Sequence, residues 1–164
     1  RAVVQTRFAT TALALWRAWL GADVGALAAD AERTLAAPLP DGLREVARIT
    51  FVGSGWSVGI AREAALKARE AAQLWTESYP AMELRHGPIS VLDAHSTVWI
   101  FGPPPPGLID DVRATGAQTV TSAADPLVEL VRAQRAAVAL AQARGLDPDR
   151  PRTLTRAVEL AQRS

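Results

Sequence analysis

Between residues 48 and 77 a short β-branched and aromatic run, Arg48-Ile49-Thr50-Phe51-Val52, enters a glycine-serine turn, Gly53-Ser54-Gly55-Trp56-Ser57. It leaves that turn as a long alanine-rich helical pattern over 58–77. Strand, glycine turn and helix in that order open a βαβ unit. Such a unit closes only with parallel strands and with helices on the faces of the sheet. Two more strands are expected, at 97–101 and 118–121, giving three in all. Apolar spacing predicts helices over 3–20, 22–37, 108–115 and 127–144, and a last helical turn or two within 151–162. Pro38 and Pro40 end the second helix and open a linker over 38–44. The four prolines at 103–106 force an extended connection.

Length and composition then narrow the function. A chain of 164 residues, 49% apolar and 21% charged, is a globular domain large enough to bury a core. Its net charge of +1 gives no global field toward nucleic acid, and no aromatic-basic interleaving suggests one. Without cysteine and with only two histidines, neither disulfides nor a metal site is expected, and no cofactor is implied. No apolar run is long enough to span a membrane and no signal peptide is visible, so a cytoplasmic setting without membrane contact is expected.

The helix after the glycine turn carries the most informative pattern. At about 100° per residue, Glu63, Lys67, Glu70 and Glu77 fall within an arc of roughly 80°, on the side that also carries Ile60, Leu66 and Leu74. Arg62, Arg69 and Gln73 fall on another side, expected to face solvent. Charges among large aliphatics must be paired or used, because burying an unpaired charge costs several kcal/mol. Internal pairing, Glu63 with Lys67 at i,i+4 and Lys67 with Glu70 at i,i+3, is one reading. A cleft that does acid–base chemistry is the other, and spacing alone leaves both open.

The segment Glu83-Leu84-Arg85-His86-Gly87-Pro88 adds a carboxylate, a guanidinium and an imidazole in one compact turn, with His86 expected at an exposed or cleft-facing position. His95 reads as structural or solvated. In the glycine turn, Ser54 and Ser57 stand at a helix amino terminus, where backbone N–H groups and hydroxyls can hold an anion. A tight turn capped by Ser57 is the alternative. Trp56 can stack on a sugar face or cover a subunit contact, and Trp16, Trp19, Trp75 and Trp99 are expected in the core or at an interface.

Three segments together carry a resemblance: Glu63-Ala64-Ala65-Leu66-Lys67-Ala68-Arg69-Glu70, Glu77-Ser78-Tyr79, and Glu83-Leu84-Arg85-His86-Gly87-Pro88. They resemble the signature of the sugar isomerase (SIS) family, in the form it takes in the carboxy-terminal half of the glutamine–fructose-6-phosphate aminotransferases. The tail from Gly145 to Arg156 is similar to that family's ending, so the resemblance spans roughly residues 44 to 160.

The resemblance implies a three-layer SIS-type α/β fold with a five-stranded parallel sheet, as one half of a double-SIS protein. Residues 1–42 would then be a helical segment closing a preceding half, with its linker, and 43–164 the carboxy-terminal SIS domain. It implies a phosphorylated sugar or amino sugar as ligand, and a homodimer with the active site at the interface. Glu70 would be the base that moves a proton between C1 and C2, Lys67 its neighbour, and His86 the ring-opening group delivered from the other subunit. Ser54, Ser57, Glu77 and Arg156 would contact substrate. Where the aminotransferases carry a tail lysine that forms a Schiff base, this chain has Arg156. A guanidinium stays protonated and cannot be that nucleophile. The expected activity is an aldose–ketose isomerase or deaminase on hexose or amino-sugar phosphates. A non-catalytic phosphosugar sensor and a half-domain that only completes a dimer are the alternatives.

Overall fold

The computed structural model describes residues 3–152 and 154. Two helices come first, α1 (Arg7–Trp19) and α2 (Val24–Ala36). The βα succession follows: β1 (Arg48–Gly53), α3 (Ser57–Ala72), β2 (Trp75–Pro80), β3 (Ser96–Phe101), α4 (Leu108–Ala114), β4 (Gln118–Val120) and α5 (Pro126–Ala143). The four strands form one parallel sheet in the order β2-β1-β3-β4. The α/β class, the parallel pairing and the helices on both faces are as expected.

Alternation along the two central strands divides the core. Ile49, Phe51, Trp99 and Phe101 point to the face covered by α3 and α5, where Phe51 lies 6.0 Å from Trp99 and 6.2 Å from Phe101 between ring centroids. Val52, Val98 and Ile100 point to the other face, against Leu84, Leu92, Leu108 and Val112. A strand buried on both sides reads as a nearly continuous apolar run, which is why β3, after Ser96 and Thr97, continues Val-Trp-Ile-Phe rather than alternating. The alanine surplus acts where α3 meets its neighbours: Ala61, Ala64, Ala65, Ala68, Ala71 and Ala72 are all buried, facing Ala133, Ala136 and Ala137 of α5. Small side chains let the two helices approach each other and the sheet closely.

Two expectations are corrected. The helical pattern expected to run to Glu77 stops at Ala72, and 75–80 is a fourth strand. Gln73 ends the helix with φ 50°, a left-handed conformation uncommon outside glycine, so no glycine or proline marks the break. The fifth strand that the family pattern implies is not among the described residues, where the short turn after β4 leads directly into α5. Of the tryptophans only Trp99 lies in the core; Trp16, Trp19 and Trp75 are largely exposed. The last-turn helix expected within 151–162 lies almost wholly outside the described residues, as does Arg156. No described helix is long and apolar enough to cross a membrane.

Candidate functional site

The glycine turn is built around Ser57. Its Oγ accepts from the Ser54 N–H at 2.9 Å and lies within donor reach of Ser54 O at 2.9 Å and Phe101 O at 2.8 Å. One hydroxyl therefore ties the β1 turn to the end of β3. Gly53 is required here, since a Cβ would lie 2.4 Å from the Ser57 carbonyl oxygen. Ser57, expected either to contact an anion or to cap the turn, has a buried hydroxyl that is engaged within the turn and with β3. Ser54 and Trp56 are exposed at the tip of the turn.

That turn opens on the carboxyl ends of the strands. The chain winds from β1 to β2 on one side and returns to β3 on the other, so the crossover reverses between β1 and β3. Open α/β sheets offer a crevice at such a point. A cavity of about 730 Å³ lies there, lined by Trp56, by Gly102, Pro103 and Pro104 after β3, and by the turn from Thr121 to Pro126. Asp125 caps α5 and takes a two-pronged contact from Arg17 of α1, both at 2.7 Å. Arg17 in turn lies 5.7 Å over the Trp56 ring. Of these crevice residues, sequence reasoning assigned a role to Trp56 alone; the strand order, which alone reveals the reversal, depended on the strand it did not find.

The charged stripe of α3 makes a second cavity, of about 290 Å³. It is bounded by Glu63, Lys67 and Glu70 on one side and by Val3, Gln5, Phe8 and Ala9 on the other. Lys67 is only 6% exposed. Its Nζ donates to Glu70 Oε2 at 2.6 Å and lies 3.6 Å from Glu63 Oε1. The pairing reading is met, and the paired charges also border a polar cavity. Two carboxylates share one ammonium, so the cluster carries an excess negative charge. Burial pushes the Glu63 carboxyl up, Lys67 pulls it back and Glu70 pushes it further up.

Glu77 does not belong to this stripe. It lies on β2, where Thr76 faces α3 through a 2.8 Å bond from its Oγ1 to Ala65 O. Strand alternation sends Glu77 to the opposite face, beside Tyr79. Burial first, then the charge of the neighbouring Glu77 carboxylate, pushes the Tyr79 phenol up.

His86 is exposed at the end of a single 3-10 turn, Glu83–His86, whose Leu84 packs on the face away from α3. Arg85 holds that turn in place: Nη2 donates to Pro106 O at 2.7 Å, and Nε lies 2.7 Å from Asp111 Oδ2 of α4. Within one chain, then, the structure brings Glu70, Lys67 and Glu63 together and leaves His86 and Glu77 on the other side of the sheet. His95 is solvated at the mouth of β3, and its carbonyl accepts from the Ala47 N–H. Among the described residues no cluster could hold a metal.

No family model matches the chain. It is 30% identical over 155 residues to a glutamine–fructose-6-phosphate aminotransferase of Methanothermobacter thermautotrophicus, a match that takes in 72% of this chain and 26% of that protein. With the corresponding protein of Corynebacterium diphtheriae it shares 30% over 153 residues, 73% of this chain and 24% of that one. The chain thus spans about a quarter of the length of the curated relatives it matches. Among solved structures, a glucosamine-6-phosphate deaminase from Thermotoga maritima superposes with a TM-score of 0.80 at 20% identity, over 98% of this chain and 59% of that one. The carboxy-terminal domain of a glucosamine–fructose-6-phosphate aminotransferase from Francisella tularensis gives 0.58 at 24%, over 78% and 44%. Sequence likeness and shared fold lead to one conclusion: the chain belongs to the sugar isomerase (SIS) family and resembles the carboxy-terminal SIS half of the glutamine–fructose-6-phosphate aminotransferases.

Proposed function

We propose that the chain handles a hexose phosphate or amino-sugar phosphate and moves a proton between C1 and C2 of its open-chain form, as an aldose–ketose isomerase or deaminase does. The observation that carries this reading is the Glu70–Lys67 contact at 2.6 Å on the wall of a polar cavity. A carboxylate held in place by an adjacent ammonium, yet open to a ligand, is the arrangement that proton abstraction beside a carbonyl requires. Ring opening falls to His86. Because His86 lies across the sheet from Glu70, a second copy of the chain supplies it, and the working unit is a homodimer with the site at its interface. Ser54 at the exposed turn and Arg156 remain the proposed substrate contacts, and Glu77 works from the face that carries His86.

In this reading residues 1–42 close a preceding half, and 43–164 form the carboxy-terminal SIS domain. The outward face of α1 supports it: Phe8, Leu15 and Trp19 lie along one side of the helix and are largely exposed. Arginine in place of the tail lysine favours a second reading, a phosphosugar sensor without turnover.

Deuterium exchange separates the two. Fructose 6-phosphate or glucosamine 6-phosphate incubated with the protein in deuterated water should lose its C2 or C1 proton signal. Glu70→Gln should slow that loss by about 10²-fold or more. Saturable binding without exchange would leave the sensor reading in place of the enzyme, and no binding by the folded protein would end both.

A further inference from the structure

Lys67 is the chain's only lysine, against seventeen arginines. A position that needed only a buried cation between two carboxylates is better served by arginine, which is more weakly hydrated and presents five donors in a fixed fork. The one property that lysine brings and arginine lacks is a primary amine that can lose its proton and become a nucleophile. Lys67 carries that amine on the wall of a cavity of about 290 Å³, in contact with a proton acceptor, Glu70 Oε2, at 2.6 Å, and with Glu63 Oε1 at 3.6 Å.

Resting on the sugar-phosphate reading above, we infer that Lys67 forms an imine with the carbonyl carbon of an open-chain aldose or ketose phosphate bound in this cavity. The Lys67 ammonium gives a proton to Glu70. The freed lone pair adds to the carbonyl carbon, and the carbonyl oxygen takes the proton back from Glu70. Glu70 then takes a second proton from the attached nitrogen and gives it to the new hydroxyl, which leaves as water while the carbon–nitrogen double bond forms. The sum is ammonium plus carbonyl to protonated imine plus water, with no change in charge and no oxidation or reduction. Glu63 keeps a carboxylate beside the positive nitrogen throughout. The protonated imine withdraws electrons from the adjacent C–H bond, the one whose proton Glu70 moves.

A chain with a single lysine makes the test clean. The whole protein is incubated with fructose 6-phosphate, treated with sodium borohydride and cut with trypsin. A reduced adduct makes Lys67 a secondary amine that trypsin does not cut, so cleavage after Arg62 and Arg69 releases the modified lysine in a seven-residue peptide, Glu63 to Arg69. We expect a reduced hexitol phosphate on that peptide, at one per chain and dependent on borohydride. Glu70→Gln should slow its formation by about 10²-fold or more. Lys67→Arg keeps the cation between the carboxylates, so it should melt close to the parent protein while losing the adduct. If fructose 6-phosphate binds and exchanges deuterium but no adduct appears on Lys67, which trypsin then cuts to leave the unmodified 63–67 peptide, the imine is overturned and the isomerase reading stands. An adduct undiminished in Lys67→Arg overturns it too. No binding at all takes both down together.

Discussion

Helices α3 and α5 lie side by side with alanine faces in contact, and each buries one charge, yet the two charges are kept in different ways. Glu129 of α5 is 2% exposed and enclosed by fixed partners. The Trp99 indole N–H donates to its Oε1 at 2.8 Å, and Arg132 Nη1 donates to the same oxygen at 3.2 Å. Arg132 then covers the Trp99 ring at 5.6 Å. Lys67 of α3 is nearly as buried, but its two carboxylate partners border a cavity. A closed network holds parts of the fold together, here β3, the turn after β4 and the start of α5. An open one leaves charged groups within reach of a ligand. Burial of a charge marks both; the empty space beside it tells them apart.

The comparison breaks most visibly if the closed network is cut. Glu129→Ala leaves the buried indole N–H and the Arg132 guanidinium without their partner, and should cost about 3 kcal/mol of unfolding free energy. Lys67→Met leaves two carboxylates that can reach water through the cavity or take up a proton. Its cost should be about 1 kcal/mol, while C2-proton exchange is lost. Urea denaturation of the two variants measures both numbers. Should Lys67→Met prove as damaging as Glu129→Ala, the α3 cluster is as closed as the α5 one, and its cavity is not a ligand site.

How much of this was legible in the sequence follows from what each feature depends on. β1, β3, β4 and α5 were legible because local chemistry decides them: short β-branched or aromatic runs for the strands, and a long alanine, leucine and valine periodicity for α5. The Glu63-Lys67-Glu70 stripe was legible because helical spacing holds whatever surrounds the helix. β2 was not, because the break before it rests on Gln73 in a left-handed conformation, which tertiary packing enforces and composition does not announce. That one miss moved Glu77 onto the wrong element and the wrong face, and it hid the strand order that defines the crevice at the carboxyl ends of the strands. Ser57 was recognised as a turn residue, but its bond to Phe101 O joins residues 44 apart. Glu129 drew no notice because a glutamate three residues before an arginine is the commonest kind of surface pair; only the tryptophan on β3 makes it a buried one.

The pH dependence of stability sharpens the contrast further. Burial pushes Glu129 above the ordinary carboxylate value of 4.5, against the pull of Arg132, Trp99 and Ser122. A carboxylate raised in the folded protein binds its proton more tightly there than in the unfolded chain. Its stabilising contribution is therefore complete at low pH and is lost as pH climbs from the unfolded value through the folded one. Glu129→Gln keeps an oxygen for the indole N–H and removes the charge, so the decline in unfolding free energy above pH 4.5 should become shallower. Melts in urea from pH 4 to 7 would show this, and an unchanged slope would mean that Glu129 is not the group responsible.

Glu63 is raised in the same direction, but it is less enclosed and Lys67 offsets its burial. Glu63→Gln should flatten the same curve by a smaller amount than Glu129→Gln. It should do so without the tryptophan fluorescence change expected when the partner of Trp99 is altered. Occupation of the cavity supplies the final discrimination. A sugar phosphate bound against Glu63 and Glu70 changes the surroundings of those two carboxylates and leaves Glu129 in its closed cage. The Glu63-dependent part of the curve should therefore move when fructose 6-phosphate is present, and the Glu129-dependent part should not. Equal movement of both would show that the two buried charges report one shared environment, contrary to the separation of open and closed networks.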